Sequence, residues 1–294
     1  SRMVSRPVRK TIRPSWRRTA QVSIRNTTTC HRILPYISGN VRHKHRRISR
    51  KKEITYNFNL IKGDCLEAMK TISDQSVDLI LCDLPYGTTA CKWDSIIPFD
   101  PLWEQYKRVI KMDGAIVLFS AQPFTTKLIS SNFSWYRYCW YWKKSNVTGA
   151  LFCKSQPMRC IEDICVFYRK QPTYNPQGLR ILPKPVIHAA NKNTAVYGTK
   201  KSPSVQKYTG YPHHLLEFSK DKMQVHPTQK PVALLEYLIK TYTNPGETVL
   251  DNCMGSGSTG VACANTQRKF IGIEKDEKYF TVATQRIMNS EVAA

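Results

Sequence analysis

Residues Asp83-Leu84-Pro85-Tyr86-Gly87 follow the apolar run Val77-Asp78-Leu79-Ile80-Leu81-Cys82. A short strand there delivers an acid, a proline turn and an aromatic ring to one point. That set suits a flat molecule carrying an amino group. The Asp83 carboxylate accepts from the amine, the Leu84 carbonyl accepts its other hydrogen, and the Tyr86 ring stacks on the flat face. An amine conjugated to an aromatic ring is a poor nucleophile, because its lone pair is delocalised. Two acceptors outside the ring plane favour a pyramidal nitrogen and free that lone pair. Pro85 fixes the turn that holds them. The competing reading of Asp83 is a simple turn cap.

A second constellation lies late in the chain. Leu250-Asp251-Asn252-Cys253-Met254-Gly255-Ser256-Gly257-Ser258-Thr259-Gly260 joins a predicted strand to a helix, and a further strand ends at Glu274. Strand, glycine-rich turn, helix, strand and terminal acid form the layout of a nucleoside-cofactor site. Glycines such as Gly255 and Gly257 let backbone approach a ligand closely. Glu274 can hold both hydroxyls of a ribose. No Lys follows a glycine in the way a phosphate loop requires. An acid at the start of the turn, Asp251, suits a cationic ligand better than a pyrophosphate. S-adenosyl-L-methionine, with its ammonium and sulfonium, fits that description. The alternative is a turn whose small residues serve helix–strand packing.

The elements that must position these groups alternate. Strands are predicted at 58–62, 77–82, 115–119, 136–142, 161–168, 248–250 and 269–273. Helices are predicted at 65–72, 101–110, 122–130, 231–242, 261–264 and 277–288. Alternation with nearly continuous apolar strands indicates a mainly parallel, doubly wound α/β sheet covered on both faces. Residues 143–225 break the rhythm, with one clear strand inside Pro-, Lys-, Asn- and Tyr-rich sequence. Long irregular stretches in a compact domain are usually functional.

The 294 residues carry a net charge of +24, and residues 1–52 alone contribute +16 with no Asp or Glu. Nucleic acid is the natural partner of such a charge, with an acidic membrane surface second. No apolar run approaches the roughly 20 residues of a membrane helix, so no membrane span is expected. The acid-free start is compatible with a mitochondrial transit segment, a nuclear-import or phosphate-binding arm, or a disordered tail. Ten cysteines include no C-x-x-C pair. No metal is expected, and the cysteines in apolar segments read as core residues of a reducing compartment.

Together the two constellations resemble the beta group of S-adenosylmethionine-dependent DNA amino-methyltransferases, over about residues 56–290. Asp83-Leu84-Pro85-Tyr86 matches the family's catalytic tetrapeptide, with Leu84 in place of its first Pro, a position whose role is a backbone carbonyl. Asp251 through Gly257 matches its cofactor loop, with Cys253 in place of the family's Phe. His226-Pro227-Thr228-Gln229-Lys230-Pro231 matches a segment that packs beside the methionine end of the cofactor, which implies roles for Thr228 and Lys230. Gly63-Asp64-Cys65-Leu66-Glu67 matches a segment whose Asp approaches the adenine of the cofactor. Asp64 following a glycine is also a good helix N-cap.

The resemblance implies a Rossmann-like class I methyltransferase fold at 53–290, with an inserted target-recognition region at 143–225 and a basic tail at 1–52. It implies methyl transfer to a base extruded from double-stranded DNA, adenine N6 first and cytosine N4 second. Methylation at cytosine C5 is excluded, since that family uses a Cys after Pro and no Pro-Cys dipeptide exists here. A different class, a nucleic-acid-binding protein without catalysis, is disfavoured by the intact acids. The protein is expected inside the cell: cytoplasm or nucleoid if bacterial or viral, nucleus or mitochondrion if eukaryotic. Monomer and homodimer both remain open.

Overall fold

A computed structural model describes residues 58–88, 94–190, 202–221 and 229–291. The expectations for the tail 1–52 and for Thr228 lie outside the described residues.

The chain runs β1 (Phe58–Lys62), α1 (Cys65–Met69), β2 (Val77–Asp83), α2 (Phe99–Val109), β3 (Ile110–Ser120), α3 (Phe124–Ser131), β4 (Tyr136–Thr148), β5 (Arg159–Phe167), β6 (Arg180–His188), β7 (Ser204–Thr209), β8 (Leu215–Phe218), α4 (Val232–Tyr242), β9 (Thr248–Asp251), α5 (Ser258–Asn265), β10 (Lys269–Glu274) and α6 (Glu277–Glu291). Eight strands form one sheet in the order β1-β10-β9-β2-β3-β5-β4-β8. The first five are mutually parallel. β5 runs antiparallel to both β3 and β4, and β8 is parallel to β4.

Side chains alternate across a strand, and β2 uses both faces. Leu79 and Leu81 enter the layer under α4, α5 and α6, while Ile80 and Cys82 enter the layer under α1, α2 and α3. That two-sided burial explains the unbroken apolar run. The helices each turn one stripe inward, as 3.6-residue spacing demands. In α2 the stripe is Leu102, Trp103, Tyr106 and Val109; in α4 it is Leu234, Leu235, Leu238, Ile239 and Tyr242.

Residues 143–225 differ from expectation. Their described residues hold the outer half of β4, a 3-10 turn at Ala150–Phe152 and four further strands, β5 to β8. β6 and β7 form a separate antiparallel pair. Their side chains are mostly exposed, so the alternation that marks a half-buried strand is missing from the sequence. Their backbones pair with one another on one edge each, with an interruption between Ile181 and Val186.

Candidate active site

From β2 the chain leads on to β3 on one side, and from β9 to β10 on the other, although β2 and β9 are neighbours. Such a reversal leaves a crevice beyond the carboxyl ends of the strands, where ligands of open α/β sheets bind. Asp83 ends β2, Asp251 ends β9 and Glu274 ends β10. The two segments singled out in the sequence therefore share one lip of the sheet. β5 runs the other way, so the start of that strand reaches the same lip: Asp163 pairs with Ser120, the last residue of β3.

Asp83 is held from two directions. Its Oδ1 accepts from the Tyr86 hydroxyl at 2.7 Å, and its Oδ2 accepts from Lys230 Nζ at 2.5 Å. The Tyr86 ring stacks on Phe124, with centroids 5.1 Å apart and planes 26° from parallel. Burial pushes the Tyr86 phenol well up, and the negative charges of Asp83 and Glu162 push it further. It therefore stays a neutral donor. Leu84 buries its side chain in the α1–α3 layer, which anchors the turn. Asp94 then clamps the following loop: its two oxygens accept from Gly87 N and Thr88 N, each at 2.9 Å.

Lys230, expected beside the cofactor, carries its ammonium to Asp83. The same Nζ lies 3.4 Å from Glu162 Oε2 and 5.1 Å over the Phe119 ring. Glu162 Oε1 accepts from Lys144 Nζ at 2.8 Å. Asp83, Lys230, Glu162 and Lys144 thus form a row of alternating charge. Burial by itself would lower the Lys230 ammonium; Asp83 and Glu162 outweigh it and hold the group above the usual lysine value. Burial would likewise raise the Glu162 carboxyl, and Lys230 with Lys144 keep it below its ordinary range.

At the glycine turn, Asp251 is 3% exposed. Its oxygens accept from Thr259 Oγ1 at 2.6 Å and from Cys253 N at 3.1 Å, so the carboxylate shapes the turn from within. Burial pushes it up to about 6. Asn252 is tied to the opposite layer through Tyr106, whose hydroxyl donates to Asn252 Oδ1 at 2.6 Å. Cys253 lies against Cys65 and Cys82. Glu274 accepts from Gly255 N at 2.9 Å and from Asp276 N at 2.8 Å.

The two glycines play different parts. Gly255 has φ +51° with open space where a Cβ would stand, whereas a Cβ on Gly257 would meet Ala283 of α6 at 2.9 Å. The space beside Gly255 stays open; Gly257 leaves room for a helix. Asp64 caps α1, its Oδ1 accepting from Leu66 N at 3.0 Å. Gly63 N donates to the Glu274 carbonyl at 2.9 Å, which brings Asp64 beside the end of β10.

Glu162, Asp94 and Phe124 were not singled out in the sequence, and Lys144, which the sequence offered among the basic residues of 143–225 as a phosphate contact, pairs with Glu162 instead. One signal was present for Glu162: Ile161-Glu162-Asp163-Ile164 places two acids inside an apolar strand, where each needs a partner. Asp163 finds Thr125 Oγ1 at 2.6 Å. Among the described residues no group of three or more His, Cys, Asp or Glu is arranged to hold a metal ion. Nor does any described helix have the length and apolarity to cross a membrane.

Residues 77–285 match the DNA methylase family. The DNA adenine methyltransferase YhdJ of Escherichia coli (strain K12) is 28% identical over 246 residues, covering 78% of this chain and 82% of that protein. The putative methylase YubD of the same organism is 31% identical over 241 residues, covering 77% and 88%. Among solved structures, M1.HpyAVI in complex with SAM superposes with a TM-score of 0.54 at 25% identity, over 78% of this chain and 99% of that one. The cytosine-N4-specific PvuII DNA methyltransferase gives 0.58 at 15% identity, over 81% and 92%, a likeness of fold. With this Rossmann-like sheet and a family match running from β2 into α6, the chain belongs to the S-adenosylmethionine-dependent DNA amino-methyltransferases.

Proposed function

We propose that the protein transfers a methyl group from S-adenosyl-L-methionine to N6 of an adenine extruded from double-stranded DNA. The observation that carries this reading is the adjacency of two turns at the sheet's crevice, Asp83-Leu84-Pro85-Tyr86 after β2 and Asp251 to Gly257 after β9.

Asp83 and the Leu84 carbonyl would accept from the target amine, and Tyr86, backed by Phe124, would stack on the base. Extruding the base costs a few kcal/mol of unstacking, which contacts to the surrounding DNA must offset. We assign those contacts to residues 143–225, whose Lys143, Arg159, Arg169 and Lys170 suit phosphates. The cofactor supplies an electrophilic methyl group on a cationic sulfur. The residues of this chain fit it. The open flank of Gly255 leaves space for it. Glu274, partly exposed at the end of β10, has lone pairs left for ribose hydroxyls. Asp64 stands close by, and Asp251 with Cys253 keeps the turn in shape. Attack in line with the methyl group then needs orientation and electrostatics from the protein.

Adenine is favoured over cytosine N4 because the first residue of the tetrapeptide is Asp, where the cytosine enzymes more often carry Ser. DNA treated with the protein and methyl-labelled cofactor, digested to nucleosides and sequenced for modified positions, tests both substrate and context. N6-methyladenine in a defined sequence is the expected product. N4-methylcytosine overturns the assignment of the base, and no labelled nucleoside overturns the activity.

A further inference from the structure

We propose that Glu162 is the receiving site for the Lys230 ammonium, which leaves Asp83 when the target amine arrives. The inference rests on the reading of Asp83 as the amine's acceptor.

Lys230 Nζ sits 2.5 Å from Asp83 Oδ2, and Tyr86 already fills Oδ1. To that carboxylate the ammonium resembles the substrate: a nitrogen presenting N–H donors. As long as it stays, the target amine meets an acceptor that is already engaged and a charge that is already balanced. The neighbouring carboxylate is unfinished. Glu162 Oε1 is anchored by Lys144 at 2.8 Å, yet the buried Oε2 makes no hydrogen bond and faces the same Nζ at 3.4 Å. Normal N–H···O separations are about 2.7–3.2 Å, so a shift of under roughly 1 Å completes the bond. A flexible four-carbon stem with three rotatable donors can make that shift. The Phe119 face, 5.1 Å beneath the ammonium, offers the cation a surface during the move.

The row of two carboxylates and two ammoniums sums to zero in both arrangements. Lys230 moves as an intact cation and no proton changes hands. What changes is that Asp83 Oδ2 becomes free for the incoming amine. Glu162 is a positioning residue in this scheme, acting through Lys230.

The test uses the full chain and duplexes carrying its mapped recognition sequence. Two duplexes differ in one group: the target base bears its exocyclic amine or lacks it (purine for adenine, 2-pyrimidinone for cytosine). Affinity for each is measured by fluorescence anisotropy, with cofactor binding as a control. Glu162→Gln is expected to weaken the amine-bearing duplex about tenfold relative to the amine-free one. Affinity for the amine-free duplex and for the cofactor should stay within twofold. The double variant Glu162→Gln/Lys230→Met should regain the preference of Lys230→Met alone. Equal weakening of both duplexes, or losses that simply add, would mean a structural role and overturn the proposal.

Should Glu162→Gln fail to fold, Lys230→Met provides the same answer from the other side. It removes the competing donor and should raise the preference for the amine severalfold; an unchanged preference overturns the proposal. Asp83→Asn separates the two layers of the argument. If that variant still prefers the amine-bearing duplex, the reading of Asp83 itself is wrong, whatever Glu162 does.

Discussion

At the lip between β2 and β9, carboxylates meet ammoniums, hydroxyls or backbone amides within 2.5–3.1 Å. Outside the core, large apolar side chains are exposed: Leu151 at the β4–β5 tip is 95% exposed, and in β6 Ile181 is 78% and Ile187 73% exposed. The lip is built by burial and then fixed by polar pairs. The β4–β5 tip and the separate β6–β7 pair are built by backbone pairing, with side chains mostly exposed. One region positions atoms; the other can change its side chains with little effect on the fold.

The sharpest break in this contrast is at Asp83. Asp83→Ala should lower methyl transfer about a thousandfold, the scale of losing a positioned acceptor of this kind. Cofactor affinity, read by calorimetry, should stay within twofold. A variant that keeps near-normal activity would remove Asp83 from the chemistry.

Next comes the core that carries the lip. Leu81→Ala, in the fully buried middle of β2, should cost about 2–5 kcal/mol in denaturant unfolding. A cost under 1 kcal/mol would mean that the strand repacks freely.

Asp251 tests the lip through pH. Burial raises its carboxyl from 3.8 to about 6 in the folded protein. Between those values the unfolded chain releases its proton while the folded one keeps it. Stability relative to Asp251→Asn is therefore highest below pH 4, declines as pH rises to about 6, and is level above. The decline amounts to about 3 kcal/mol at most. A flat difference across that window would show that the carboxyl is not perturbed.

The smallest effect belongs to the β4–β5 tip. Leu151→Ala should change stability by no more than about 0.5 kcal/mol, as for other exposed positions. A cost comparable to that of Leu81→Ala would erase the distinction between the regions.

The contrast also explains what the sequence made legible. Asp83 to Tyr86 and Asp251 to Gly257 are consecutive residues, so the motif and the strand that presents it read together. The sheet was legible because β2, β3, β9 and β10 are apolar on both faces, and helices with one stripe separate them. The long-range pairs were not. Lys230 and Asp83 are 147 residues apart, and nothing local says which carboxylate the lysine meets. Gly255 and Gly257 look alike in sequence; only the approach of Ala283 separates them. Asp64 had two readings, and its bond to Leu66 N makes the capping one visible. β6 and β7 lacked a signal because their side chains are exposed on both faces.

The direction of β5 has a mechanical consequence. The ladder between β4 and β5 ends at Thr148 and Arg159, and Glu162 lies three residues into the strand from there. The register shifts between that pair and Lys143–Ile161, so a load applied at the hairpin tip would cross this shift before it met the carboxylate that touches Lys144 and faces Lys230. Displacement at the tip would therefore reach the row of alternating charge, through β5, before it reached the glycine turn after β9.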